Sequence, residues 1–144
     1  MTKNTVKPTP SFWVICVIAL IWNLIGVLSY LGEAYITDEK LTQLTEAQQE
    51  IINNRPSWAT IAFAIAVFGG LLGSLALLFK MKISYLLFII SFFGVIIHLA
   101  YKVFITKMFQ NNEIDHFFST IVVVGISFYM ITYAKKCKKN NLIS

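Results

Sequence analysis

The polar residues with the most chemistry to offer in this 144-residue chain lie inside or beside long apolar runs. Asn23 interrupts the first of these runs, and Asn23, Gly26, Tyr30 and Glu33 follow one another at spacings of three, four and three. In a helix those spacings put all four residues on one face, which is small and polar and therefore belongs inside a bundle. Such a face lines a ligand path or fastens a neighbouring helix through Asn23, a contact worth about 0.6–2 kcal/mol in a membrane. Both readings stand on the residues alone.

A second group gathers near the end of the third apolar run. His98 and Lys102 are four residues apart, with Tyr101 between them, at the depth of Glu33. Glu33 falls near a helix C-terminus, where the helix dipole disfavours negative charge, so Lys102 or His98 is its expected partner. Asp115 and His116 at the start of the fourth run complete an expected vestibule. On one reading it is a proton relay or pH sensor, on the other an interfacial network holding helix ends together.

Ala62, Ala66, Gly69, Gly70, Gly73 and Ala76 mark a stripe of small residues that includes a Gly-x-x-x-Gly pair. Small residues at this spacing let two helices approach closely, either within one chain or between two copies. No catalytic set is visible: no carboxylate lies deep in a run, no Ser-His-Asp trio converges, and there is no phosphate loop. Two histidines and two acids so scattered predict no metal, and no cofactor is expected. Cys16 and Cys137 form no CxxC pair and imply no disulfide framework.

The elements that must position these residues follow from composition. The chain is 57% hydrophobic and 13% charged, with mean hydropathy +0.70, whereas soluble domains carry about 25% charged residues. Four runs, approximately 12–33, 58–79, 83–105 and 116–134, hold nearly all the apolar residues. A helix needs roughly 20 residues to cross the hydrocarbon, and continuous apolarity without alternation excludes a barrel. The expected fold is all-α: a four-transmembrane-helix bundle forming one integral membrane domain over 1–144. The first run is too long for a cleaved signal sequence and reads as a retained helix.

Between the first two runs, Thr37-Asp38-Glu39 reads as a helix start, and Leu41, Leu44, Ile51 and Ile52 recur at helical spacing. One amphipathic helix is therefore expected over about 38–53, capping the bundle or resting on its surface. Eight basic residues (Lys3, Lys7, Lys80, Lys82, Lys135, Lys136, Lys138, Lys139) fall on one side of the frame and four (Lys40, Arg55, Lys102, Lys107) on the other. The positive-inside rule places both termini in the cytoplasm, and the abundance of Lys, Asn and Ile suggests an AT-rich bacterial genome and so a bacterial inner membrane. The net charge of +5 thus sets topology; nucleic acid is not an expected partner, whereas the lipid bilayer is.

The stretch from Phe12-Trp13-Val14-Ile15 through Trp22-Asn23-Leu24-Ile25-Gly26-Val27-Leu28-Ser29-Tyr30-Leu31, then Tyr35-Ile36-Thr37-Asp38-Glu39, resembles a family of short four-span proteins common in Bacteroidota. Trp58-Ala59-Thr60 and the run Ala62-Phe63-Ala64-Ile65-Ala66-Val67-Phe68-Gly69-Gly70 are similar to it as well. Members are often labelled "sugar transporter", which implies transport of a small polar solute and designates no site residues. An accessory subunit of a larger membrane complex, a homo-oligomer and an outward-facing sensor remain alternatives.

Overall fold

The computed structural model describes residues 6–105 and 114–144, the side chains of 105 and 114–117 excepted. All of its regular structure is helical. Six α-helices run Pro10–Ala34 (α1), Asp38–Leu41 (α2), Glu46–Asn53 (α3), Ser57–Leu78 (α4), Ile83–Ala100 (α5) and Ile114–Lys139 (α6), and a π-helical turn, Tyr101–Ile105, extends α5. Four segments are long and apolar enough to cross a membrane: Pro10–Ala34, Ser57–Leu78, Ile83–Phe104 and Phe118–Lys139. At 22 residues α4 spans about 33 Å, against about 30 Å of hydrocarbon. The chain is a multi-pass membrane protein.

Local chemistry sets the helix boundaries. Pro10 occupies the first turn of α1, where its missing N–H has no intrahelical partner to lose. The last helix continues to Lys139, five residues beyond the apolar run ending at 134. Lysine is a good helix former, and the dipole favours cations at a C-terminus. After α4, Lys80 takes the left-handed conformation (φ 59). The Met81 N–H then donates to the Ala76 carbonyl at 2.7 Å and the Lys80 N–H to Leu77 at 2.9 Å. Asn141 (φ 54) closes α6 in the same way, with Leu142 donating to Cys137 at 3.0 Å.

The loop does not form the single helix expected over 38–53. Instead α2 and α3 are separated at Thr42–Thr45. The Thr42 hydroxyl turns back to donate to the Glu39 carbonyl at 2.8 Å. Thr45 starts a new helix with a capping box, accepting from the Gln48 N–H at 3.4 Å while Gln48 Oε1 accepts from the Thr45 N–H at 3.2 Å. Two threonines that prefer capping to propagation divide the segment.

The helices pack in chain order. Among the described residues α4 against α5 is the largest contact, α1 lies on α4 and α6 on α5, and α1 and α6 share the cluster at one end of the bundle. Gly94 of α5 faces the backbone of Ala62 and Ala66 so closely that an added Cβ would come within 2.8 Å of the Ala62 oxygen. Val6 donates to the Asn141 carbonyl at 3.3 Å, so both ends of the described chain meet at one end of the bundle, here the terminal end. There Phe12, Cys16, Leu77, Phe88, Met130, Ala134, Cys137 and Ile143 form one buried cluster drawn from all four spans. The opposite, loop end is built differently.

Candidate functional site

In the loop-end half, α1, α4, α5 and α6 surround a cavity of roughly 360 Å³. Its floor is a polar node centred on Asn23. The Asn23 Nδ2 group donates to the Ala19 carbonyl at 2.8 Å and across to Ser74 Oγ on α4 at 3.0 Å. Ser74 in turn donates to the Gly70 carbonyl at 2.9 Å, and Ser91 on α5 donates to the Ala66 carbonyl at 2.5 Å. Gly70 has to be glycine, because a Cβ there would overlap Asn23 Oδ1. Every donor of the node has a helix carbonyl or hydroxyl to satisfy it, as a polar group at this depth requires.

The Asn23 face divides. Asn23, Gly26 and Glu33 line the cavity, whereas Tyr30 turns aside and packs edge-on against Phe63 and Phe68, with ring centroids at 5.4 and 5.7 Å. Trp22, near the middle of the first span, is also a wall residue. The stripe of Ala62, Ala66, Gly69, Gly70 and Gly73 is used within the chain. Gly69 lies on Ser91, Gly73 on Phe88, and Ala66 and Gly70 meet the node.

Glu33 does not take the partner expected of it. Its carboxylate pairs with Arg55 at 2.5 Å, while His98 and Lys102 hold other positions. Arg55 comes from the end of the loop, 22 residues on, where the turn before α4 brings it over the C-terminal end of α1. Its side chain is only 9% exposed, against 32% for Glu33, and its guanidinium lies 5.9 Å above the Phe63 ring. The pair ties the loop to α1. Tyr101 makes a second tie: it is buried, its hydroxyl donates to the Ile51 carbonyl at 3.4 Å, and its ring meets Trp58 edge-on at 5.6 Å. Tyr101 is thus a loop anchor and not a wall of the cavity.

His98 and Lys102 both line the cavity. The His98 ring is stacked on Phe63 at 4.4 Å with an interplanar angle of 18°. Its two nitrogens are buried and make no hydrogen bond, the Ala59 carbonyl lying near but outside bonding geometry. Among the described residues no group of three or more His, Cys, Asp or Glu could hold a metal. Asp115 and His116 fall in the first turn of α6, but their side chains lie outside the described residues, as do Lys107 and Glu113.

Compared with known protein families, curated proteins and solved structures, the chain matches none. Its function must be read from the cavity.

Several wall residues carry no signal of their own in the sequence. Ser119, Val123 and Ser127 follow at four-residue intervals on α6 and face the cavity together with Thr120. Ser127 donates to the Val123 carbonyl at 2.7 Å, and Ser29 on α1 to Ile25 at 3.0 Å, so these hydroxyls cost little in an apolar helix. Phe63 was equally silent, yet it touches His98, Tyr30 and Arg55. The available clue was that Ser119 and Ser127, eight residues apart, fall on one face of α6.

Proposed function

We propose that this chain is a small transport-type protein of a bacterial inner membrane that takes a small molecule with a polar part into the loop-end cavity. The observation that carries this reading is the cavity itself. It is walled by four spans, bears Glu33, Lys102, Ser119 and Thr120 toward the loop end, and ends on the Asn23 node. Below it the terminal-end cluster closes the bundle, the arrangement expected of a carrier open on one side. The distribution of lysines supports cytoplasmic termini, so that the cavity faces outward. The resemblance to proteins labelled sugar transporters favours a hydroxyl-rich solute.

The test is uptake by proteoliposomes of a panel of labelled hexoses, polyols and amino acids. Val123→Trp, which fills the cavity from a half-open wall position, is expected to abolish uptake of the transported member while the helical circular dichroism stays unchanged. Uptake equal to that of empty liposomes for every panel member overturns the reading.

A second reading has its own observation. Gly32 on α1 and Gly125 on α6 have open space where a side chain would stand, beside exposed Leu28, Ile121 and Phe128. Bare backbone on a lipid-facing surface accommodates another helix closely, which favours an accessory subunit or a homo-oligomer. Purification in mild detergent distinguishes the two, since a lone monomer counts against it.

A further inference from the structure

We infer that the cavity takes a neutral alcohol with an apolar body, which enters hydroxyl first and donates a hydrogen bond to Asn23 Oδ1 at the floor. The inference rests on the reading of the cavity as a ligand site and names the class of ligand.

The first ground is an acceptor that lacks a donor. The Asn23 amide is oriented by the Ala19 carbonyl, which can only accept, so Nδ2 is the atom that faces it at 2.8 Å. The other Nδ2 hydrogen goes to Ser74 Oγ at 3.0 Å. That leaves Oδ1 on the side of Gly70 and Ser91, in the space that a side chain on residue 70 would fill. Among the described residues none donates to it: Ser91 beside it gives its hydrogen to the Ala66 carbonyl, and Ser74 gives its own to the Gly70 carbonyl. An acceptor left without a donor is costly in the middle of a span. Asn23 lines the cavity, so a ligand can supply what the protein does not.

The second ground is the shortage of donors around that oxygen. Ser127 hands its hydrogen to the Val123 carbonyl and, nearer the loop end, Ser29 hands its own to Ile25. Each of these hydroxyls can still accept, but none can donate without breaking a bond to its own helix. His98 lies seven residues beyond Ser91 on α5, about 10 Å along the axis, and its ring nitrogens are covered. A carboxylate, a ketone or an amide brings a carbonyl oxygen that finds no donor at the floor. An ammonium finds no counter-charge there: Glu33 is ten residues beyond Asn23 on α1, about 15 Å, and is paired with Arg55. A hydroxyl needs one acceptor, and Asn23 Oδ1 provides it.

The third ground is the wall. Between the floor and the loop end the cavity is faced by Ile25, Val67, Val95, Leu99, Val123 and Val124. These side chains suit hydrocarbon, and further hydroxyls along a ligand would lie mainly against valine, unpaired. At roughly 360 Å³ the cavity is at the lower end of small-molecule sites, about 300–1,000 Å³, which favours a compact body over a long chain.

Calorimetric titration of the purified protein in mild detergent with menthol and, separately, menthone, each corrected for protein-free micelles, tests the inference. The two share one carbon skeleton, but menthol bears a hydroxyl where menthone bears a carbonyl. Menthol is expected to bind one to one and at least about tenfold more tightly, a difference of about 1.4 kcal/mol. Asn23→Leu should bring the two within about twofold of each other, and Val123→Trp should remove both. Equal or tighter binding of menthone by the unaltered protein, or no saturable binding of menthol, overturns the inference, and neither result needs a variant to fold. A preference for menthol kept in full by Asn23→Leu, or menthol retained by Val123→Trp, overturns it as well. Uptake of a hexose, polyol or amino acid without menthol selectivity sinks this inference and leaves the transport reading standing; menthol selectivity without uptake does the reverse.

Discussion

At the terminal end Phe12, Cys16, Leu77, Phe88, Met130, Cys137 and Ile143 fill the space among the four spans until almost nothing of them is exposed. At the loop end the same four spans leave a cavity, and the contacts described around it are specific ones, among them the Glu33–Arg55 ion pair, the Tyr101 hydroxyl on the loop and the stack of Phe63 on His98. The difference separates two tasks. A membrane bundle gains little from the hydrophobic effect between helices and relies on close packing and interhelical hydrogen bonds. Concentrating the packing at one end frees the other to remain hollow.

Substitutions at the two ends should therefore have very different costs. Phe88→Ala in the terminal cluster is expected to have the largest effect, about 3 kcal/mol or more by the usual cost of an aromatic core truncation. Reversible unfolding in mixed micelles would read it, and a loss below about 1 kcal/mol would break the comparison. Gly94→Ala comes next, because its Cβ meets backbone at Ala62 and Ala66 that cannot rotate away. Overpacking of this kind costs about 1–3 kcal/mol. If the variant is as stable as the parent, α4 and α5 are less tightly joined than their contact implies.

Arg55→Met should cost less, about 1 kcal/mol, since Glu33 is a third exposed and can turn to solvent. Its clearer effect is on the loop, where limited proteolysis between residues 38 and 53 is expected to speed up several-fold. An unchanged cleavage rate would show that Tyr101 alone holds the loop. Ser127→Ala is the smallest, within about 0.5 kcal/mol, because its hydroxyl serves only its own helix. A larger loss would mean that the cavity wall bears more of the fold than its openness suggests.

The spans were legible because lipid demands continuous apolarity, and no rival element satisfies the backbone over twenty such residues. The loop helix was misread because Leu41, Leu44, Ile51 and Ile52 keep helical spacing across a break that only the hydroxyls of Thr42 and Thr45 make. Asn23 announced itself as costly and proved to be the centre of the floor. The partner of Glu33 was not legible: Arg55 is distant in sequence, and its approach depends on how the loop folds back. The small-residue stripe pointed to close packing, but it was the isolated Gly94 that made the nearest approach, and an isolated glycine has no pattern to betray it.

The order of packing bears on how the protein is made. Among the described residues each span lies most closely against the one that precedes it in the chain, α4 on α1, α5 on α4 and α6 on α5, while α1 and α6 share the terminal-end cluster. A helix leaving the insertion machinery thus meets its main neighbour already in the bilayer, and loop-closure entropy grows only slowly with the length of the connection. Assembly can run as a series of nearest-neighbour steps with no waiting for a distant partner.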